Sequence, residues 1–289
     1  MTDFLKKIIY FFIPIVIATV VVSGVYFFTI LKVGYKLKEI AQYKVLIMGD
    51  SQMQRLLPES IDEPTYNFAS SGEHYYFTYY KLLRICKVEN FRVKKVLLGI
   101  SAHNFAPIYT ALFDLNTPEG KKSLKSYLYF IPIIGYEFIK SNEIFSKSMI
   151  QSIFLGPDWG GVIRSKHLNP SESLINISFN MHYKINSEHA ESFQIQNLYI
   201  RKIYDLCKTN NIQLVFVSTP YHRGYKMQVE KKYFELLANA VNQYKDIEYL
   251  NFLNSDIDST QMADGNHLNY FGAQIITQSI NDHLNKHLK

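Results

Sequence analysis

Cysteine is scarce in this sequence: Cys86 and Cys207 are the only two among 289 residues, and neither lies in a CxxC motif. The missing motif argues against a zinc ribbon or a thioredoxin-like redox site. Both cysteines fall in stretches with a helical pattern, which favours buried thiols, although the sequence alone also permits a disulfide between them. Cysteine chemistry therefore indicates no function.

Signals for nucleotides, nucleic acids and metals are also missing. The chain has no GxxxxGK loop and no GxGxxG run that opens a helix, so nothing indicates a nucleotide site. Lys and Arg total 31 against 25 Asp and Glu, a net charge of +6, and residues 1–43 carry half of this excess. The remaining body is close to neutral, which disfavours nucleic acid as a partner. His182 and His189 lack companions at metal-ligand spacing, and we expect neither a metal nor a cofactor.

The most prominent feature present is an uncharged run from Ile8 to Leu31, which lies between Lys7 and Lys32. As a helix it would span about 36 Å, enough to cross a bilayer core of about 30 Å. The run is longer than the apolar region of a signal peptide, and no small-residue cleavage site precedes Lys32. The sequence predicts one transmembrane helix, with residues 1–43 forming a signal anchor and an amphipathic stalk.

Lysines on both sides of this run bear on its orientation. Lys6 and Lys7 favour a cytoplasmic amino terminus. Four more lysines follow the run, at positions 32, 36, 38 and 44. Counted over both flanks, the positive-inside rule favours a cytoplasmic body, so the flank charges do not support an extracytoplasmic one.

Residues 44–289 contain continuous apolar runs of strand length that alternate with helical patterns. Runs of this kind are typical of parallel strands covered on both faces. We predict an α/β fold of the flavodoxin-like type, a three-layer sandwich around a five-stranded parallel sheet. The predicted strands are Lys44–Met48, Thr65–Ala69, Val96–Ile100, Ile212–Thr219 and Ile247–Phe252, and the predicted helices are Gln52–Leu57, His74–Lys87, Ile195–Thr209, Met227–Tyr244 and Tyr270–Leu288.

One interval breaks this alternation. Residues 102–194 separate the third strand from the helix before the fourth, which is much longer than an ordinary connection. The interval contains two aromatic and apolar stretches, Tyr127–Tyr136 and Met149–Leu155, followed by turn residues at Gly156–Gly161. This pattern predicts a helical insertion over the strand ends. A simple extension of the core would produce the same pattern.

Three residues with complementary chemistry lie next to predicted strand ends. Ser51 follows the first strand directly, and Asp264 and His267 precede the final helix. Doubly wound sheets bind ligands at the carboxyl ends of their strands, so these side chains can converge there. A serine hydroxyl can attack an acyl carbon, an imidazole can take its proton, and a carboxylate can orient the imidazole. The pattern predicts a catalytic triad.

Gly49-Asp50-Ser51, followed much later by Asp264-x-x-His267, resembles the SGNH/GDSL hydrolase superfamily. The resemblance implies that Ser51 is the nucleophile and that Asp264 and His267 are its partners. It is strongest over residues 44–104 and 195–289, which is the body without the insertion.

Two further stretches correspond to family blocks. Tyr66–Gly72 looks like the second block, which implies that the Gly72 N–H contributes to an oxyanion hole. The third block departs from the family's Gly-x-Asn-Asp pattern, because Ser101 stands where the family has asparagine. Asn104 is a candidate for the missing donor, whose loss would cost about 10²–10³-fold in rate. We expect Ser51, Gly72 and Asn104 to form the oxyanion hole, and we expect substrate contacts from Asp50, Ser101, His103 and His222.

Each of these residues also has a structural interpretation. Ser51 could cap a following helix, and Asp264 and His267 could belong to a solvated turn. His103 and His222 also follow strand ends and compete with His267 for the role of base. The combination of a serine at a strand end with a distant Asp-x-x-His favours the triad.

The acceptor of the acyl group decides the reaction: water gives an esterase, and a sugar hydroxyl gives an O-acyltransferase. The anchor, the SGNH-like body and the insertion are together similar to a branch that includes the D-alanyl-lipoteichoic acid biosynthesis protein D and the alginate O-acetylation proteins. This resemblance implies an extracytoplasmic body on the periplasmic or cell-surface side. It also implies a cell-envelope polysaccharide or glycolipid as substrate, acetyl as the acyl group, and a membrane-bound O-acyltransferase as partner.

Three other functions are compatible with the sequence. A membrane-anchored lipase or esterase for small or lipid esters would use the insertion as a lid. A non-catalytic glycan-binding module would leave Ser51 idle, which the atypical third block favours. An interaction subunit would dock its aromatic insertion onto a membrane partner.

Overall fold

The computed structural model describes residues 2–113, 117, 120, 124, 126–131, 156–166, 169–184 and 192–286. In the described residues five strands alternate with helices. The strands are β1 (Val45–Met48), β2 (Thr65–Asn67), β3 (Lys95–Gly99), β4 (Gln213–Ser218) and β5 (Glu248–Asn251). The helices are α1 (Thr2–Ile40), α2 (Tyr75–Cys86), α3 (Pro107–Phe113), α4 (Glu172–Tyr183), α5 (Ser192–Thr209), α6 (Arg223–Lys226), α7 (Lys231–Asn242) and α8 (Tyr270–Lys286).

The strands form one parallel sheet in the order β2-β1-β3-β4-β5. This is the doubly wound, flavodoxin-like order. The chain adds β2 on one side of β1 and then adds β3, β4 and β5 on the other side, so the strand order reverses at β1. The predicted α/β class with a five-stranded parallel sheet is therefore confirmed. The carboxyl ends of all five strands lie at one edge, called the carboxyl edge below, and their amino ends at the opposite, amino edge.

Apolar side chains of successive strand residues point to opposite faces and build two cores. On one face Leu46 and Met48 pack with α1, α2, α5 and α7. On the other face Val45 and Ile47 pack with the turn after β1 and with α8. This two-sided burial explains why β1 and the interiors of β3 and β4 are apolar at successive positions.

Helix α1 continues without a break from the apolar run into the body. The most apolar window within Lys6–Ile40 has a mean hydropathy of 2.6, and none of it is buried, so the helix is long and apolar enough to span a membrane. Its last turns are different: Val33, Leu37 and Ile40 are buried in the core beside α2. The stretch predicted as a stalk is therefore largely a packed part of α1.

Two element boundaries differ from the sequence prediction. The helix predicted over Gln52–Leu57 is reduced to a 3₁₀ turn at Met53–Arg55, because a second short turn begins at Pro58. The helix predicted over Met227–Tyr244 begins at Lys231, and the separate short helix α6 precedes it.

The predicted insertion is helical in α3 and α4, while residues 156–166 form an irregular segment along the carboxyl edge. The Trp159 carbonyl accepts from the Tyr66 hydroxyl at 3.2 Å, and the Ser165 carbonyl accepts from the Tyr270 N–H at 2.8 Å. The segment thus reaches from β2 to α8. Half of the aromatic stretch predicted at 127–136 and all of that at 149–155 lie outside the described residues.

Candidate active site

Ser51 lies immediately past the carboxyl end of β1, at the position where strand order reverses. Gly49 has a φ of 123°, which an L side chain rarely adopts, and this turns the chain sharply out of the strand. The neighbouring β3 also ends in glycine: a Cβ on Gly99 would lie 2.3 Å from Met53 Cγ. The two glycines let the turn after Ser51 pack directly against the sheet, and the serine stays partly exposed between buried neighbours.

The structure brings Ser51, His267 and Asp264 together. The Ser51 Oγ lies 2.7 Å from His267 Nε2. On the other side of the ring, His267 Nδ1 lies 2.8 Å from one Asp264 oxygen and 3.0 Å from the other. A carboxylate can only accept here, so Nδ1 carries the ring proton and Nε2 is the acceptor for the serine hydroxyl. This is the arrangement that a general base for Ser51 requires.

Asp264 also holds the turn that carries His267. Its Oδ1 accepts from the backbone N–H groups of Asn266 and His267, both at 3.0 Å. Burial alone would raise the pKa of Asp264. The opposing effects are larger: His267 contributes a hydrogen bond and a charge, and two backbone N–H groups donate to the carboxylate. Together they lower the pKa of Asp264 to about 2. Asp264 therefore stays ionised throughout the neutral range and can stabilise an imidazolium at His267.

A closed backbone loop fixes this turn in place. Met262 and Leu268 form an isolated antiparallel bridge, and the Ala263 N–H donates to the His267 carbonyl at 2.8 Å. Asn269 closes the loop with a side-chain amide that donates to the Thr260 carbonyl at 2.6 Å. These contacts hold the histidine before any substrate binds.

Two backbone N–H groups are candidate oxyanion donors. Gly72 lies in the loop after β2 and has a φ of 66°, in the left-handed region that favours glycine. Within the part of the chain that the structure describes, the N–H groups of Ser51 and Gly72 donate to no protein acceptor. Both residues are partly exposed, so both groups are available to a ligand.

The third expected donor, Asn104, is occupied by protein. Its amide nitrogen donates to Asp50 Oδ2 at 2.5 Å. Its oxygen accepts from the Ser101 N–H at 2.7 Å and from the Tyr75 hydroxyl at 3.2 Å. Asn104 is 3% exposed and none of its hydrogen bonds within the described residues reaches Ser51. In this structure it positions Asp50.

Asp50, expected to contact substrate, lies instead inside a dense hydrogen-bond network behind the serine. Besides Asn104, its Oδ2 accepts from His103 Nε2 at 2.7 Å and from the Tyr109 hydroxyl at 2.5 Å, and its Oδ1 accepts from the Gln52 N–H at 3.0 Å. Burial would raise the pKa of Asp50, but the charge and hydrogen bond of His103 and the other donors hold it well below its usual range.

His103 and His222, the two competitors for the base, have other partners. His103 is 1% exposed, and its Nδ1 lies 3.1 Å from the Tyr221 hydroxyl while its Nε2 faces Asp50. His222 begins α6, where its Nδ1 accepts from the Gly224 N–H at 3.1 Å. Of the three histidines, the structure brings His267 to Ser51.

Gln52 is a site residue that the sequence reasoning did not single out. Its amide nitrogen donates to the Asn266 carbonyl at 2.9 Å, and its oxygen accepts from the Ser101 hydroxyl at 2.8 Å. Gln52 thereby joins the serine turn, the loop after β3 and the histidine turn. Its place directly after Ser51 was the only signal in the sequence.

A buried ion pair, also absent from the sequence reasoning, supports the loop that carries Gly72. The Lys81 ammonium lies 2.6 Å from a Glu73 oxygen, and both side chains are fully buried. Lys81 also donates to Ser70 Oγ at 3.1 Å and to the Phe68 carbonyl. Since Phe68 and Ser70 belong to the same loop, one cation fixes three points of it.

Comparison with known proteins adds a likeness in shape. No family model and no curated protein matches this chain. Among solved structures, the chain is similar to a protein from Streptococcus pneumonia that is provisionally described as a platelet activating factor. The TM-score is 0.44 and the sequence identity is 11%, and the match covers 93% of this chain and 99% of the other. The chain is also similar to a GDSL-like lipase from Bacteroides thetaiotaomicron, with a TM-score of 0.44, 12% identity, and coverage of 89% and 97%. At such scores these likenesses do not define the chain's family or activity.

Proposed function

We propose that this chain is an acyl-ester enzyme of the SGNH type, anchored to a membrane by α1, that works through an acyl-serine at Ser51. The observation that carries the proposal is the linear contact of Ser51 Oγ, His267 and Asp264, with distances of 2.7 Å and 2.8 Å. The N–H groups of Ser51 and Gly72, which donate to no acceptor among the described residues, would serve a developing oxyanion.

The residues support a reaction in two steps. His267 Nε2 takes the proton of Ser51 as its oxygen attacks the acyl carbon, and the negative charge on the carbonyl oxygen is met by the two N–H groups. The ester bond breaks, and the departing alcohol takes the proton from His267. A second hydroxyl, from water or from a sugar, then gives its proton to His267 as its oxygen attacks the acyl-serine. The bond between the acyl carbon and Ser51 Oγ breaks, and His267 returns the proton to Ser51 Oγ.

We propose an O-acyltransferase or esterase for cell-envelope polysaccharide or glycolipid, with acetyl as the acyl group. The long apolar α1 and the triad support this choice together, since α1 suits a membrane anchor and the triad suits ester chemistry. The body would then lie outside the cytoplasm, with a membrane-bound O-acyltransferase as the source of acyl groups.

Acylation of Ser51 is the decisive test. The full chain in detergent is mixed with an activated acetyl ester and its intact mass is followed. We expect a single acetyl adduct or steady ester turnover in the wild type, and a loss of at least about 10³-fold in Ser51→Ala and His267→Ala, because nucleophile and base act as one unit.

His283→Ala is the matched control, since His283 lies on α8 and pairs with Glu248 at the amino end of β5. It should retain acylation. Transfer of the acetyl group from the enzyme to an added oligosaccharide would identify a transferase, and loss to water an esterase. A wild-type chain that neither acylates nor turns over ester, or a Ser51→Ala variant that equals it, would refute the proposed function.

A further inference from the structure

Helix α1 reaches the body at the amino edge of the sheet. The Ala41 carbonyl, just past its last residue, accepts from the Arg92 N–H at 2.7 Å, and the Lys44 N–H donates to the Pro64 carbonyl at 2.8 Å. Arg92 and Pro64 precede β3 and β2. The carboxyl end of α1 is therefore fixed opposite to the edge that carries Ser51.

From that point, α1 runs back along the sheet towards the carboxyl edge. Lys36 lies over the ring of Tyr66, in the middle of β2, at 5.4 Å. Ten residues earlier, Tyr26 stacks on Tyr129 with ring centroids 6.4 Å apart. Tyr129 precedes Phe130, which packs at 5.8 Å on Phe68, the first residue after β2.

The lengths agree with this course. The helix from Tyr26 to Ile40 covers about 21 Å at 1.5 Å per residue, whereas β1 covers about 13 Å at 3.3 Å per residue. The packed part of α1 is thus long enough to pass the whole sheet. The exposed apolar turns before Tyr26 emerge on the side of the carboxyl edge, where the triad lies.

An exposed apolar stripe, formed by Leu174, Ile177 and Met181 of α4, lies at the same edge. Their exposures are 43%, 57% and 49%, and their spacing places them on one face of the helix. The buried face of the same helix, formed by Ile175, Ser178, Phe179 and His182, is directed at the site: a Cβ on Gly265 would lie 3.1 Å from Ser178 Cβ.

Met227, which directly follows the short helix α6 beside α4, is a further exposed apolar side chain. Gln228 donates to Asn176 of α4 at 3.1 Å, and the adjacent Met227 is 77% exposed. Amphipathic surfaces of this kind bury their apolar side chains about 5–10 Å deep at a bilayer surface.

We propose that the carboxyl edge rests on the membrane that α1 spans, with the α4 stripe and Met227 in contact with lipid. The occupant of the stripe is the bilayer surface, because α1 emerges on the same side and tethers the body there. For the activity proposed above, the substrate class becomes an acyl ester or acyl acceptor held at the bilayer surface, such as a lipid-linked glycan. This second statement rests on the proposed function, whereas the orientation does not.

Lipid quenching of single fluorophores tests the orientation without any need for activity. The full chain with Cys86→Ala is placed in phosphatidylcholine–phosphatidylglycerol vesicles, since Cys207 is buried and resists labelling. A fluorophore is attached at Ile177→Cys or Met227→Cys on the carboxyl edge, and at Glu89→Cys or Lys245→Cys on the amino edge. The quencher is a nitroxide on the lipid headgroup.

We expect the two carboxyl-edge labels to be quenched at least about twofold more than the two amino-edge labels, given the shallow insertion of interfacial helices. Equal quenching at both edges, or stronger quenching at the amino edge, overturns the orientation. A stripe that is covered by a protein rather than by lipid would give the first of these results. All four sites are exposed and each edge has two, so one misfolded variant does not remove the contrast. Correct quenching in a chain that fails to acylate Ser51 would refute the proposed function alone.

Discussion

Asp50 is held by four hydrogen bonds, from His103, Asn104, Tyr109 and the Gln52 N–H. Because it precedes Ser51 directly, its position sets where the serine hydroxyl points. A buried carboxylate with this many donors acts as a rigid support. In this structure His103, one of the residues expected to touch substrate, bonds Asp50 and can act on the serine through it.

We predict that Asp50→Asn weakens both stability and activity. The new amide would place a donor against donors from His103 and Asn104, and we expect a loss of about 3 kcal/mol in the free energy of unfolding. Urea unfolding followed by circular dichroism measures it. Activity should fall through kcat, since Asp50 is buried and both of its carboxylate oxygens are bonded to protein groups.

Asp62→Asn is the control, because Asp62 is exposed and accepts from the Asn285 side chain. It should change the free energy of unfolding by less than about 1 kcal/mol. If Asp50→Asn is as mild as Asp62→Asn, the network does not support the serine.

At the scale of elements, the loop from Phe68 to Glu73 depends on a buried ion pair. Burial raises the pKa of Glu73 to about 7, against the opposing charge and hydrogen bond of Lys81. The pKa in the folded chain is therefore above the ordinary value of 4.5. The contribution of Glu73 to stability is complete below pH 4.5 and is lost as the pH rises through about 7.

We predict that the free energy of unfolding of the wild-type chain, relative to that of Glu73→Gln, falls as the pH rises from 5 to 8, because the variant removes the titrating group while the other groups titrate equally in both chains. Unfolding in urea at several pH values measures both slopes. Glu59→Gln is the matched control, since Glu59 is half exposed and paired with Arg164. Equal slopes in wild type and Glu73→Gln would contradict the prediction.

Prediction from sequence worked best for elements and for residues close to strand ends. The five strands match their apolar runs to within one or two residues, because strands buried on both faces leave an unbroken apolar signature. Ser51 and His267 could be paired because chain topology brings strand ends together and because the Asp264-x-x-His267 spacing singled out His267 from the other histidines near strand ends.

The supporting contacts could not be predicted, because they join residues with no shared pattern. Gln52 and Asn266 are 214 positions apart, and their bond depends on the packing of two turns. The ion pair of Lys81 and Glu73 is hidden for a different reason, since charged residues on a helix ordinarily face solvent. Asn104 carries a side chain suited to an oxyanion hole, and only coordinates show that Asp50 occupies it.

At the scale of the whole molecule, the proposed orientation predicts a preference for substrates at a surface. The full chain in vesicles should hydrolyse an acetyl ester carried on a vesicle lipid with a higher kcat/KM than a water-soluble acetyl ester. Ile177→Ser/Met181→Ser should lower the rate on the vesicle ester by about tenfold, because two apolar side chains lose their contact with lipid. The rate on the soluble ester should change by less than about twofold, since neither residue touches the triad.

Ile275→Ser is the control for this pair, because Ile275 is 44% exposed on α8 and lies away from the stripe. It should leave both rates unchanged. Equal losses on the two esters in the double variant would indicate damage to the site and would contradict a membrane-facing edge.

The unbroken passage of α1 into the core also determines how the body would reach a substrate at the membrane under the proposed function. With Val33 and Leu37 buried in the body, the described part of α1 leaves no hinge on which the body could swing away. In the proposed orientation Ser51 is held at a constant height and moves only by lateral diffusion in two dimensions. Its rate of encounter then depends on the number of substrate molecules per area of membrane, and diluting the vesicles in buffer leaves that number, and the rate per enzyme, unchanged.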